Sequence, residues 1–168
     1  MVALATPPGA AARLLVEAAP EVASLAARVR ETAVDTLGFA VRAGKVDGLP
    51  PSTFLIPLDD LFHSVVTRDP VPDPAWRGFA IHFRPGLSPA ARLERACALF
   101  RLRPDDLEAV SERQTVLPSP VLGHQELVQE LDRLLLGSRL ALTGNWFGGL
   151  AIEDCALRSR QEWARVSA

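Results

Sequence analysis

Residues 142–155 read Leu142-Thr143-Gly144-Asn145-Trp146-Phe147-Gly148-Gly149-Leu150-Ala151-Ile152-Glu153-Asp154-Cys155. The apolar run from Leu140 to Thr143 has the character of a short strand, and Gly144 to Gly149 supply a tight loop. From Ile152 to about Arg165 the pattern is that of a closing helix. A strand that turns through glycines into a helix start presents backbone N–H groups at close range, because glycine has no Cβ to hold a neighbour away. Gly144 and Gly149 permit that approach, and Leu150, Ala151 and Ile152 are the residues that would lie against a flat apolar ring. The same glycines serve equally well to turn a strand into a helix with nothing bound.

Upstream of this stretch, Leu127, Val128, Leu131, Leu134 and Leu135 recur at helical spacing, and Gly137-Ser138 ends that helix. At the other end of the chain, Val2 to Ala5 is a short apolar strand. Thr6 is the expected N-cap and Pro7 the expected first helical residue, since proline there loses no intrahelical bond. Ala11, Leu14, Leu15 and Ala18 form one helical face, and after Pro20 the residues Val22, Leu25, Ala26 and Val29 form another.

Between these ends the period changes to two. Leu37, Phe39 and Val41 alternate with smaller residues, as in a strand covered on both sides, and Phe79, Ile81 and Phe83 mark a half-buried strand. Short strands are expected near Phe54 to Pro57, Phe62 to Thr67 and Glu108 to Leu117. Gly44 to Ser52 and the proline-bearing stretch Asp69 to Pro74 read as loops. Ser88-Pro89 opens a helix whose inner face is Leu93, Ala96, Cys97 and Phe100, and Arg103 to Asp106 reads as a turn. Because the elements do not form a clean βαβ series, the expected class is α+β, a mixed sheet with packed helices in a single domain over residues 1–168.

The chain's 168 residues suffice for one domain with a real core. With a formal charge of −2 and no dense Lys/Arg stripe, the electrostatic basis for nucleic-acid binding is missing. No apolar run is long enough to span a bilayer, and Met1 to Ala5 lacks the basic start and long apolar middle of a signal peptide, so a cytoplasmic location is expected. Cys97 and Cys155 stand alone and read as small apolar side chains in a reducing compartment. His63, His82 and His124 are far apart and not grouped with other ligands, so no metal site is expected. No catalytic acid, base or nucleophile stands out, because capping and helix-end solvation account for His124, Glu153 and Asp154.

Residues 142–155 resemble the closing flavin segment of protoporphyrinogen oxidases, which runs roughly Ala-Gly-Asn, a few variable residues, Gly-Val-Gly-Ile, then Asp-Cys and a helix. Leu117-Pro118-Ser119-Pro120-Val121-Leu122-Gly123-His124 resembles the family segment in which Pro-Gln-Tyr precedes a Gly-His pair. Val2 to Pro7 is similar to the Val-x-x-Ala-Thr-Pro strand end of flavin amine oxidases, and Phe54-Leu55-Ile56-Pro57 to a substrate-domain strand. The resemblance implies a substrate-domain-like part over 1–115 and a closing FAD-segment-like part over 116–168. It also implies that Gly144, Asn145, Gly149, Leu150, Ala151 and Ile152 are the cofactor-binding positions if a flavin is bound.

The departures are as informative. The family's Gln-Tyr is Ser119-Pro120, its second glycine is Ala151, and Ser159 replaces another glycine. Glu153 and Asp154 at the helix start suit the helix dipole but oppose a second anion, such as a pyrophosphate, at the same end. No Gly-x-Gly-x-x-Gly dinucleotide fingerprint occurs, and Met1 falls beyond the family's dinucleotide-binding half. No cofactor is therefore expected on the isolated chain.

Three functions follow from the resemblance. One is a non-catalytic accessory subunit in a larger assembly, with a tetrapyrrole-containing complex, photosynthetic or haem-based, as host; peripheral placement on the cytoplasmic face of a membrane complex would then come through a partner. Another is one half of a split FAD-dependent oxidoreductase completed by a second chain. The third is a small module that binds flavin or tetrapyrrole. For the docked subunit, Trp146, Phe147 and Leu150 are the expected partner-binding residues, the region either meeting another protein or being covered by the chain's own N-terminal helices.

Overall fold

The alternation of Leu37, Phe39 and Val41 produces the long strand on which half of the molecule is built. The computed structural model describes residues 1–51, 53–69, 71 and 73–168. The expected loops at 44–52 and 69–74 each include positions outside the described residues: Ser52 in the first, Pro70 and Pro72 in the second. The class is α+β, with two compact units: Ala33–Val116, and Met1–Thr32 together with Leu117–Ala168. The expected division near residue 116 lies beside the second crossing between units. Residues 1–32, however, join the C-terminal segment rather than the middle of the chain.

In the middle unit the strands β2 (Glu31–Arg42), β3 (Phe54–Leu55), β4 (Phe62–Thr67), β5 (Trp76–Phe83) and β6 (Leu107–Pro118) order as β3-β4-β5-β2-β6. β2 runs antiparallel to β5, with Leu37 opposite Ile81 and Phe39 opposite Phe79, so the alternating apolar residues share one face. Helix α3 (Pro89–Phe100) covers that face with Ala96, Cys97 and Phe100. The Phe100 ring meets those of Phe79 at 4.6 Å and Phe39 at 5.6 Å. Its start is the expected cap, the Ala91 N–H donating to Ser88 Oγ at 3.2 Å ahead of Pro89. Arg92 is the unforeseen member of the inner face. It is buried because Asp35 at 3.2 Å and Glu112 at 2.8 Å receive its guanidinium.

In the terminal unit β1 (Val2–Leu4) and β7 (Leu140–Leu142) form a two-stranded parallel sheet, Val2 opposite Leu140 and Leu4 opposite Leu142. This pairing is why the first residues fold with the last. Helices α1 (Pro8–Leu15), α2 (Pro20–Ala27) and α4 (His124–Leu135) pack a core that includes Leu15, Val22, Leu25, Leu127, Leu131 and Leu135. Helix α5 (Ile152–Ser167) closes the chain. The expected cap at Thr6 is displaced by one residue: Pro7 holds the N-cap position, Pro8 starts the helix, and no side chain caps it. The Thr6 carbonyl instead accepts the Trp146 indole N–H at 3.0 Å.

Candidate functional site

The glycine loop after β7 is filled by the chain's own side chains. Gly144 has φ +134°, a conformation side chains rarely adopt, and a Cβ there would lie 3.4 Å from the Trp146 ring. Trp146 and Phe147 stack at 4.0 Å between centroids and are 1% and 5% exposed, set in the core with the N-terminal helices. The partner-facing role expected of these two residues is therefore not open to them. They are covered from within, because the loop turns both rings toward α1, α2 and α4. Leu150, the third expected partner residue, is exposed.

The second loop glycine is explained in the same way. The Asp154 carboxylate folds back over Gly149 so closely that a Cβ there would overlap it, with Asp154 Cγ at 3.1 Å. The first turn of α5 also carries Glu153 and Asp154, and no side chain caps it. Of the expected cofactor-binding positions, Leu150, Ala151 and Ile152 all face solvent. Gly144 and Gly149 have their open sides taken by Trp146 and Asp154.

The two segments singled out in the sequence do meet. His124, at the start of α4, donates its Nε2 proton to the Trp146 carbonyl at 2.8 Å. Beside this contact a cleft of about 590 Å³ opens between α4 and α5, lined among others by Asp132, Phe147, Asp154, Arg158 and Gln161. Arg158 pairs with Asp132 at 2.7 Å and lies over the Phe147 ring at 4.1 Å. His63 and His82 belong to the other unit, where His82 Nδ1 meets Thr36 Oγ1 at 3.0 Å. Burial, then the charges of Arg68 and His63, holds the His82 pKa below the usual 6.5.

Sequence reasoning missed the polar face of α5. The parallel pairing directs Arg139 O and Thr143 N toward β1, so Leu140 and Leu142 turn their backbone groups to the opposite edge. There Arg165 donates to Leu140 O, Leu142 N–H donates to Glu162 at 3.0 Å, and Arg158 Nε donates to Leu142 O at 3.0 Å. Arg165 also bonds the carbonyls of Leu135 and Ser138, at 2.6 and 3.0 Å, satisfying the end of α4. Three side chains at i, i+4 and i+7 thereby stand in for a neighbouring strand. Burial raises the Glu162 pKa, but hydrogen bonds from Arg165 and Leu142 and the two arginine charges outweigh it and leave the carboxyl below the usual range.

The inner face of α5 is thus charged, its only buried residues being Arg158 and Glu162. Its large apolar residues Ile152, Leu157 and Trp163 are all exposed. Ile152, Ala156 and Trp163 lie on one side of the helix at i, i+4 and i+11, Ile152 83% and Trp163 62% exposed, and on that side Ser159 Oγ meets Thr143 Oγ1 at 2.7 Å. Among the described residues no three or more His, Cys, Asp or Glu side chains gather to hold a metal, and no helix is long and apolar enough to cross a membrane. No protein-family model matches the chain, and no curated protein is significantly similar to it.

Proposed function

We propose that this chain is a non-catalytic accessory subunit, descended from a protoporphyrinogen-oxidase-like flavoprotein, that docks into a larger assembly through the outward face of α5. The inverted polarity of that helix carries the reading. A helix on a globular surface normally turns its apolar stripe to the core. Here Arg158, Glu162 and Arg165 occupy the inner side, while Leu150, Ile152 and Trp163 are left in solvent. Such a stripe marks an association surface.

The absence of chemistry is supported by the filled loop. Trp146 and Asp154 take the space that Gly144 and Gly149 leave, and the acidic first turn of α5 repels an anionic cofactor. The covered outer edge of β7 also leaves no strand position there for a dinucleotide-binding chain to complete in trans. A tetrapyrrole-containing host is the context that the resemblance implies.

Purification of the native chain from its source, with identification of whatever accompanies it, tests this function. The expected result is a larger particle with no flavin in proportion to this chain. A dinucleotide-binding chain carrying near-unit FAD would move the assignment to the split oxidoreductase.

A further inference from the structure

A second feature of the terminal unit lies away from the glycine loop. Where the lower ends of β1 and β7 meet α1 and α4, a groove of about 560 Å³ opens to solvent. Leu4, Leu14, Val22, Leu134, Leu135 and Leu140 are among its walls, and no aromatic or acidic residue lines it. Its volume falls within the roughly 300–1,000 Å³ of small-molecule sites, which pair apolar walls with a few polar groups that fix orientation. Met1, Val2 and Leu14 are more than half exposed along it, so the groove is not closed by the fold.

One charged side chain lines it. Arg139 is exposed and, among the described residues, its guanidinium makes no ion pair or hydrogen bond. Ser138, whose Oγ accepts the Leu140 N–H at 3.3 Å, stands beside it. An aliphatic trough whose one charged side chain is an unpaired cation, with the Met1 α-ammonium also on its lining and no carboxylate, is complementary to one chemical class. We infer that this groove binds a monomeric aliphatic carboxylate, its chain along Leu14, Leu134 and Leu140 and its head group on Arg139.

Isothermal titration of the whole chain with decanoate and with decyltrimethylammonium, both as monomers, separates head group from tail. Decanoate should saturate one site per chain, with the cation of equal chain length at least about tenfold weaker, as a charge-assisted contact requires. Arg139→Gln should remove that difference. Leu14→Glu, at a rim position already in solvent, should weaken both ligands. Absence of saturable binding, equal affinity for the two heads, or an Arg139→Gln variant that still prefers decanoate would each overturn the proposal. So would a dimer that Leu14→Glu dissociates, which would give the groove to a second copy of the chain.

Discussion

The Glu162 carboxylate accepts the backbone N–H of Leu142 at 3.0 Å, so a side chain does at the edge of β7 what a neighbouring strand ordinarily does. A parallel sheet of two strands is unusual, because parallel strands are commonly buried within larger sheets. Ion pairing holds the cap in place: Arg165 at 2.8 Å and Arg158 at 3.5 Å flank the same carboxylate.

Removing that carboxylate is costly. Glu162→Ala leaves two arginines beside an unpaired edge, and a loss of about 3–5 kcal/mol in urea unfolding is expected, the range for breaking a buried pair from one side. A loss below about 1 kcal/mol would show that solvent replaces the cap.

The same group sets an acid dependence. Its pKa is depressed in the fold, so the stability it contributes is complete above the ordinary glutamate value of 4.5 and is lost as pH falls through the lower folded value. Glu162→Gln should therefore show a shallower decline of stability than the wild type as pH falls below 4.5. Parallel declines in the two proteins would place the acid sensitivity elsewhere.

Gly149 and Asp154 should be coupled. Gly149→Ala forces its new methyl against the Asp154 carboxylate and should cost about 1–3 kcal/mol, the range for overpacking. In an Asp154→Ala background the same change should cost much less, giving a coupling of about 0.5–3 kcal/mol in a double-mutant cycle. Additive losses would mean that Gly149 is required for another reason.

The face of α4 can be tested residue by residue. Leu131 is fully buried, and Leu131→Ala should cost about 2–5 kcal/mol. Leu134, expected on the same face, is 37% exposed, and its truncation should cost clearly less. Equal losses at the two positions would contradict this packing.

Much of the fold was legible from local pattern. Phe39 and Phe79 announced their strands by alternation, although β2, expected to be covered on both sides, buries only the face of Leu37, Phe39 and Val41, and Leu127, Leu131 and Leu135 announced α4 by their spacing. The contents of the candidate site were less accessible. Trp146 and Phe147 lie in a loop, where no period says which way a ring turns, so their burial depends on packing with α1, α2 and α4. The role of Arg158, Glu162 and Arg165 was hidden because charges at i, i+4 and i+7 ordinarily mark a solvated face. Only the pairing of β1 with β7 reveals that a bare strand edge awaits them.

The docking role of α5 is tested most directly by comparing, under native conditions, the size of the particle containing the wild-type chain with that containing an Ile152→Glu/Trp163→Glu variant. Both positions are in solvent, so the variant should keep the wild-type circular dichroism. The wild type should elute in a particle larger than its own 18.1 kDa, and the variant as the free chain. A wild-type chain that elutes alone, or a variant that stays in the particle, would contradict the account.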